Sequence, residues 1–425
     1  EVLRFEKSDS IELDRNAVRD LMKDNLTISF NGFNYDLVII AYALKGGTNN
    51  QIKMLSDLII KSKKPTYKIC GEIKIKVPNV WNHIDLFDVS PGRSSLKIYG
   101  GRLHCKHLQD LPIEPDTILS EEQIVTIREY CVNDLELTRT LLNSLAPQVN
   151  LRIKISREYG MDVRSKSDAQ IAEAVILHEL TKVTGKKYRR PSHIEDAFKY
   201  DSPDFISFNT PELTNIYERL LDTDFEPGPS GYINMPTWLK DPIKVDGVSY
   251  KMGIGGLHSM ENARYIKAES NMELADYDVA SYYPSIILSQ KMFPDAIGKE
   301  FLLIYQDIIM RRLKAKADGD TTVADTFKIV LNSSFGKFGS KYSSFYAPQL
   351  LIQTTVTGQL ALLMLIERLT LSGIKVVSAN TDGIVVHCKK TMRRKLEEIA
   401  FDWQLQTTYV LEATDYRCIA SRNVN

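Results

Sequence analysis

Hydrophobic and polar positions along the first part of the chain predict short strands and long helices. Residues 26–40, "LTISFNGFNYDLVII", predict either two short strands around a polar turn or one strand followed by the start of a helix. Apolar residues at helical spacing predict a long amphipathic helix over residues 121–145, and Ala146-Pro147 should close it.

The middle of the chain changes in character. A further helix is predicted over "SKSDAQIAEAVILHELTKV", with Ser165 or Ser167 as its N-cap. Residues 185–250 then hold much of the chain's Pro and Gly, in stretches such as "FEPGPSGY". Because these residues interrupt regular structure, we expect loops and the main domain boundary in this region.

The pattern becomes sharper after residue 272. A predicted strand, "MELADYDVAS", runs into "YYPSIIL", and helices are expected near 301–317, 322–338 and 354–372. The segment "IKVVSANTDGIVVHC" contains two β-branched runs joined by "NTDG". This combination predicts a β-hairpin.

Composition is that of an ordinary soluble protein. The chain has 425 residues, which favours two to four domains, and it is 43% hydrophobic and 25% charged. It holds no run of about 18 apolar residues, so we expect no membrane span. The 54 basic and 54 acidic residues cancel, so any nucleic-acid footprint must be local. The five cysteines have no zinc-site spacing and are expected to be free thiols.

Three aspartates in the second half suit a metal site. Asp276 and Asp278 should face the same side of a strand, and Asp382 lies at the tip of the predicted hairpin. Carboxylates on adjacent strands could bridge two Mg²⁺ ions about 3.5–4 Å apart, an arrangement that serves phosphoryl transfer. The alternative is plainer, since Asp-Gly is a favoured hairpin turn and paired acids often only face water.

Polar residues between these aspartates fall on shared helix faces. Lys328, Asn332 and Gly336 are spaced i, i+4 and i+8, and Arg312 and Lys316 are spaced i and i+4. Lys suits a triphosphate, Asn can bind phosphate or a base edge, and Gly permits close approach. A solvated basic face is the usual explanation for such a run, and the path of an incoming nucleotide is the alternative.

These segments resemble the motifs of family B DNA polymerases, and they occur in the family's order. Residues 278–285, "DVASYYPS", resemble motif A, DxxSLYPS, and residues 328–336, "KIVLNSSFG", resemble motif B, KxxxNSxYG. Residues 378–383, "SANTDG", loosely resemble motif C, YxDTDS. Here Asn380 stands for the first Asp, which predicts weaker metal binding or weaker alignment of the primer end.

The resemblance implies a role for each residue. Asp278 and Asp382 would be catalytic ligands of two Mg²⁺ ions. Tyr283 would be the steric gate, whose ring excludes a ribose 2′-hydroxyl. The other implied nucleotide-binding residues are Val279, Ser281 and Tyr282, through the backbone amides that follow Asp278, and Lys328, Asn332, Arg312, Lys316 and Gly336.

The first half resembles the 3′–5′ exonuclease motifs of the same family. Residues 31–36, "NGFNYD", resemble Exo II, and residues 130–134, "YCVND", resemble Exo III. The resemblance implies that Asp36 and Asp134 hold further metal ions and that Tyr130 orients the attacking water. The implied DNA-binding residues are Asn31, Tyr35, Ser95 and Leu96. Taken alone, Asp134 would be read as a surface carboxylate on a helix.

The DxE of Exo I is missing from the expected place. Only 35 residues precede Asp36, so we expect the first motif to lie before Glu1. Without those carboxylates, this half should bind a strand and cut poorly.

The resemblance also implies an architecture, which is multidomain α/β and α+β. An RNase H-like exonuclease domain would precede a right-hand palm with an antiparallel sheet and short helical fingers. The implied segments are an exonuclease domain at 1–147, a linker and N-terminal palm at 148–265, a palm with motif A at 266–300, fingers with motif B at 301–345, and a palm with motif C at 346–425, without a thumb.

The implied function is a template-directed DNA polymerase that uses a DNA primer–template and dNTPs and carries a proofreading exonuclease. The intervals between motifs, 50 residues each, look too short for the insertions of protein-primed relatives, and the resemblance is to a small phage- or plasmid-type enzyme related to those polymerases. We expect it to work as a monomer in the host cytoplasm. Two alternatives stay open. One is a non-catalytic nucleic-acid-binding relative, with Asn380 as a sign of decay, and the other is an exonuclease whose second half only grips DNA. The segment "KKYRR", residues 186–190, would follow a phosphate backbone or form a solvated loop.

Overall fold

The computed structural model describes residues 2–8, 10–194 and 196–421. The chain divides into two compact units, Glu1–Ser167 and Asp168–Asn425. This division lies before the loop-rich region in which the sequence predicted the main boundary.

The first unit consists mainly of helices. Its strands β1 (Thr27–Ser29) and β2 (His83–Asp85) pair in parallel. Its helices are α1 (Arg15–Asp24), α2 (Asp36–Lys45), α3 (Asn49–Lys61), α4 (Thr66–Glu72), α5 (Leu96–Arg102), α6 (Glu121–Ser144) and α7 (Ala146–Tyr159). Of the alternatives for residues 26–40, the structure therefore has the strand followed by a helix. The RNase H-like layout stays a prediction.

The helix α6 confirms the amphipathic helix predicted over 121–145, and a capping box formed by Ser120 and Gln123 starts it. The prediction for Ala146-Pro147 is only half right, because α7 follows at once with its Pro in the first turn, where no amide hydrogen bond is lost. Val149 of α7 joins the buried cluster around Ile84 and Leu141. The first unit therefore extends beyond residue 147.

The second unit is built on one large antiparallel sheet. Its helices are α8 (Asp168–Thr184), α9 (Pro211–Asp222), α10 (Tyr282–Ser289), α11 (Glu300–Ala317), α12 (Thr321–Ser334), α13 (Pro348–Leu371) and α14 (Arg393–Thr407). Its strands are β3 (Phe198–Lys199), β4 (Asp224–Phe225), β5 (Ile243–Val245), β6 (Val248–Gly253), β7 (Gly256–Met260), β8 (Arg264–Lys267), β9 (Met272–Val279), β10 (Lys375–Asn380), β11 (Gly383–Lys389), β12 (Leu411–Asp415) and β13 (Cys418–Ser421). The seven-stranded sheet has the order β12-β9-β11-β10-β7-β6-β5.

This arrangement confirms a mixed α and β chain with an antiparallel sheet, including the predicted hairpin, now β10 and β11. The three helices predicted after residue 300 correspond to α11, α12 and α13. Helix α13 is long and apolar enough to cross a membrane by length and composition, and 83% of its most apolar window is buried inside the protein. That burial identifies it as the core helix of this unit.

The loop-rich region belongs to the second unit because buried polar groups of α13 hold it. The carboxylate of Glu367, which is 0% exposed, accepts hydrogen bonds from the amides of Asn209 and Thr210 at 2.8–3.1 Å. The Tyr200 hydroxyl lies 3.0 Å from Thr357 Oγ1. The Pro- and Gly-rich composition of residues 185–250 therefore indicates irregular backbone. It does not indicate a boundary between two folded units.

Candidate functional site

The central strand β9 brings the carboxylates of motif A to the hairpin of motif C. In the sheet register, Asp278 lies opposite Gly383 of β11 on one side and opposite Glu412 of β12 on the other. The Val279 amide donates a hydrogen bond to the Asp382 carbonyl at 2.7 Å. Asp278 and Asp382 are therefore neighbours at one end of adjacent strands, as the sequence predicted.

A tight turn presents Asp382. Thr381 has φ +54°, which is uncommon for a β-branched residue, and the Asp382 amide donates to the Asn380 carbonyl at 2.6 Å. The Thr381 amide is held by the Leu257 carbonyl at 2.7 Å. Strand β7 therefore holds the strained turn through the Leu257 carbonyl. The Asp382 side chain itself is exposed.

The carboxylates here repel one another. Burial raises the pKa of Asp278 to about 6, and the negative charges of Asp276, Asp382 and Glu412 add to this effect. Burial and Asp276 also raise the pKa of Asp382. Among the described residues, none of these four carboxylates forms an ion pair with Lys or Arg. The site therefore has an excess of negative charge that a divalent cation would relieve.

The chemistry of these donors fits Mg²⁺ in the usual manner of a nucleotide site. In the part of the chain that the structure describes, no three His, Cys, Asp or Glu side chains are grouped as ligands of one ion. Mg²⁺ commonly binds through one or two carboxylates and takes its other ligands from water and substrate phosphates. Asp278 and Asp382 meet that requirement, and the two ions stay a prediction.

Strand β12 contributes two neighbours that sequence reasoning missed. Glu412 lies beside Asp278, and the Tyr416 hydroxyl, one residue beyond the strand, donates to Asp276 Oδ2 at 2.5 Å. The segment "LEATDYRC" has the alternation of a strand, which was the available signal. Its partner could not be deduced, because pairing between distant strands is a tertiary property.

Tyr283 links motif A to motif B. Its ring stacks on Phe335 with 4.2 Å between ring centroids and 25° between the planes. Its hydroxyl donates to the Gly255 carbonyl at 2.8 Å. Burial raises its pKa, so the phenol is neutral at physiological pH. The aromatic ring predicted to select the sugar is thus fixed at both its face and its hydroxyl.

The amides after Asp278 are only partly available to a triphosphate. The Val279 amide already donates to the Asp382 carbonyl, so this donor is engaged within the sheet, and the nucleotide-binding role of Val279 stays a prediction. The side chain of Tyr282 is buried, and its hydroxyl donates to the Gly358 carbonyl at 2.6 Å, so only its amide could meet a ligand. Ser281, with φ +49°, starts α10, and its hydroxyl accepts from Arg312 Nη1 at 3.0 Å. The amides of the first turn of α10 are the remaining donors.

The predicted basic and polar faces are present. Lys328 and Asn332 are exposed on α12, Gly336 is exposed just beyond it, and a Cβ built on Gly336 would meet nothing within 4 Å. Lys316 is exposed on α11. These four residues are accessible, and none of the described contacts joins them to Asp278. Their role in nucleotide binding stays a prediction.

In the first unit, the two predicted exonuclease carboxylates have different described partners. Asp36 starts α2, and burial, with Asp85 adding to it, raises its pKa. Asp85, which sequence reasoning missed, accepts from the amides of Asn31 and Phe33 at 2.7 and 3.0 Å. Burial raises the pKa of Asp134, and its hydrogen bond from Tyr130 and the charge of Lys97 oppose that rise. No described contact joins Asp36 with Asp134.

The predicted DNA-binding residues of this unit have structural partners. The Tyr35 hydroxyl lies 2.8 Å from Ser56 Oγ, and Asn31 Oδ1 accepts from Asn34 Nδ2 at 2.8 Å. Ser95 caps α5. Leu96 is partly buried and packs against the cluster around Ile84 and Leu141, and its DNA-binding role stays a prediction.

The basic segment at 186–190 borders a cavity of about 310 Å³ in the second unit. Arg190, His193 and Lys341 line it, and Arg190 Nη1 donates to the Lys341 carbonyl at 3.3 Å. Gly228 and Gly231 also line it. Asp196 is the one acidic side chain among the described lining residues. This cavity is a candidate anion site.

Comparison with known proteins supports the fold. No family model and no curated protein sequence matches the chain. The structure is similar to that of the family B DNA polymerase from the hyperthermophilic archaeon Pyrobaculum calidifontis, with a TM-score of 0.51 and 12% sequence identity. The match covers 96% of this chain and 51% of that one, so the chain spans about half the length of the polymerase. At this identity the likeness establishes a shared fold.

Proposed function

We propose that the chain is a template-directed DNA polymerase that adds dNTPs to a primer 3′ end. The observation that carries this proposal is the register of β9, which sets Asp278 beside Gly383 and next to Asp382. Two aspartates on neighbouring strands, with the pKa of Asp278 raised to about 6, form a site that favours a bound divalent cation. The shared fold with a family B DNA polymerase supports the reaction class.

In this proposal, each residue around Asp278 has a separate role in the reaction. Bound to Asp278 and Asp382, a pair of Mg²⁺ ions would activate the primer hydroxyl and neutralise the leaving pyrophosphate. The free amides at the start of α10 donate to phosphate oxygens, aided by the positive end of the helix. Arg312 adds positive charge there and fixes the Ser281 hydroxyl. Lys328 and Asn332 bind the triphosphate from the exposed face of α12.

Tyr283 selects the sugar in this proposal. Its ring lies flat against Phe335, and its hydroxyl is tied to the Gly255 carbonyl. A ring held in this way cannot swing aside to admit a 2′-hydroxyl. We therefore propose deoxynucleotides as the substrates and a DNA primer–template as the partner.

We further propose that the first unit degrades DNA from the 3′ end, slowly. Tyr130 and Asp134 are hydrogen-bonded beside Lys97, and Asp36 lies beside Asp85. The absence of an Exo I DxE before Asp36 in the sequence argues for weak cutting. The short intervals between the motifs suit a small phage- or plasmid-type enzyme, and we propose that it acts as a monomer in the host cytoplasm.

Primer extension tests the proposal. The protein is incubated with a primer–template, Mg²⁺ and all four dNTPs, beside Asp278→Asn, Asp382→Asn and the control Asp402→Asn, an exposed residue of α14. We expect extension by the unchanged protein and by the control, and losses of about 100-fold or more for the two site variants. Binding of DNA without extension, even with Mn²⁺, would support a non-catalytic relative, in line with the neutral Asn380.

A further inference from the structure

A buried glutamine of the core helix α13 forms hydrogen bonds to the backbone at the turn between β6 and β7. Gln359 is 1% exposed, and its Oε1 accepts from the Gly253 amide at 3.0 Å. Its Nε2 donates to the Gly253 carbonyl at 3.0 Å and to the Thr355 carbonyl, also at 3.0 Å. Because the side-chain amide pairs with both the donor and the acceptor of one residue, it fixes the plane of the backbone there.

The same turn holds the Tyr283 hydroxyl. Two residues after Gly253, the Gly255 carbonyl accepts the hydrogen bond from that hydroxyl at 2.8 Å. Thr355, one helical turn before Gln359, donates from Oγ1 to the Ile254 carbonyl at 3.3 Å. Helix α13 therefore fixes the two residues that immediately precede Gly255, whose carbonyl positions the Tyr283 ring.

The turn also contacts the hairpin that carries Asp382. Gly256 has φ +138°, and a Cβ built there would lie 2.9 Å from Thr381 Cγ2 and 3.1 Å from the Tyr283 hydroxyl. The next residue, Leu257, accepts the Thr381 amide. Residues 253–257 thus lie against both the proposed sugar gate and the turn of the metal site, and the backbone at Gly256 leaves no room for a side chain.

We propose that Gln359 is a positioning residue for sugar selection. By fixing residues 253–256, it sets where the Tyr283 ring stands and so sets the preference for deoxyribonucleotides over ribonucleotides. This inference rests on the proposed polymerase function and assigns Gln359 no contact with substrate. A purely structural role would predict a less stable protein whose use of dNTP and rNTP falls by the same factor.

The ratio of kcat/KM for dNTP to kcat/KM for rNTP separates these roles. Gln359→Met keeps the length of the side chain and removes its hydrogen bonds to Gly253. We expect the ratio to fall about tenfold, because a displaced ring admits the 2′-hydroxyl. Tyr283→Phe removes the hydrogen bond from the Tyr283 hydroxyl to the Gly255 carbonyl, through which the turn positions the ring. It should also lower the ratio. Thr354→Val is the control, since Thr354 is buried on the same helix and bonds only to Leu350 and Met292 in the described contacts.

Each outcome decides between the two proposals. If the unchanged protein incorporates dNTP and Gln359→Met keeps its ratio, the inference about Gln359 is overturned and the polymerase proposal stands, whatever Tyr283→Phe does. If Gln359→Met does not fold, Gln359→Glu decides, because it keeps an acceptor for the Gly253 amide and loses the donation to the Gly253 carbonyl, and an unchanged ratio overturns the inference. If the unchanged protein incorporates no nucleotide with Mg²⁺ or Mn²⁺, both proposals fall.

Discussion

The Asp278 carboxylate lies directly over Gly383, so that a Cβ built on Gly383 would be 1.9 Å from Asp278 Oδ1. The two residues are register partners in neighbouring strands. The motif that residues 378–383 resemble has Ser at this position. In this chain the missing side chain of Gly383 is what leaves room for the observed position of the carboxylate.

Restoring the residue typical of the motif should therefore impair the proposed primer extension. Gly383→Ser forces the Asp278 carboxylate to turn away, and we expect primer extension to fall about 100-fold, the typical cost of a displacement near 1 Å in an active site. Gly71→Ser is the matched control, because a Cβ at Gly71 meets nothing within 4 Å. Full activity of Gly383→Ser would show that the carboxylate position is not critical.

The raised pKa of Asp278 predicts how stability depends on pH without metal. The folded protein holds this proton up to about pH 6, whereas an exposed aspartate has a pKa of 3.8. The contribution to stability is therefore present below about pH 3.8 and is lost as the pH rises through 6. We expect Asp278→Asn to raise the Tm at pH 7 in EDTA and to abolish any rise in Tm on adding Mg²⁺. An unchanged or lower Tm, with Asp402→Asn as control, would contradict this.

Asn380 offers a gain of function. It lies at the end of β10, opposite Gly383 in the hairpin. Asn380→Asp adds a negative charge at this end of the hairpin, and we expect the Mg²⁺ concentration for half-maximal extension to fall by about threefold to tenfold. Titration of extension against Mg²⁺ measures this. The same charge added at an exposed distant amide, Asn271→Asp, should leave the midpoint where it is.

The cavity beside residues 186–190 should bind the phosphate backbone of a single strand. Arg190→Ala and Lys341→Ala each remove one cation from its lining. We expect each to reduce the slope of log K against log salt by about 0.7 for single-stranded DNA. Lys375→Ala, an exposed cation on β10, is the control. Equal slopes for all four proteins would identify residues 186–190 as a solvated loop.

The exonuclease proposal is tested by separating the two activities. Asp134→Asn removes the carboxylate that Tyr130 contacts in the first unit, and we expect loss of 3′ degradation of a labelled strand with extension unchanged. Asp24→Asn is the control, since Asp24 is an exposed residue at the end of α1. Degradation that survives in Asp134→Asn would exclude this carboxylate from the reaction.

The features that the sequence could predict are those that depend on local periodicity. The strand at Asp276 and Asp278 and the hairpin at Asp382 follow from alternation and turn chemistry, and the structure confirms that they are adjacent. The family resemblance added Tyr283, whose contact with Phe335 joins two motifs. The short-range pattern was sufficient for these aspartates because the residues next to them in the sequence determine the strand and the hairpin on which they lie.

The features that were missed depend on contacts between distant segments. The Val279 amide is consumed by Asp382, and Glu412 reaches Asp278 only because β12 pairs with β9. In the first unit, Asp85 is held by amides that lie more than fifty positions earlier in the chain. No local pattern encodes which donor a buried acceptor will find. Neither the hydrogen bond of the Val279 amide to Asp382 nor the amide partners of Asp85 could therefore be anticipated.

The place of β9 in the sheet has a consequence for synthesis. Both of its neighbours, β11 and β12, come more than a hundred residues later in the chain, so a growing chain carries β9 with two unpaired edges until they emerge. Unpaired apolar strand edges are sites of aggregation. A chain released before β11 is made also lacks Asp382. Premature release would therefore leave an aggregation-prone fragment that cannot form the proposed metal site.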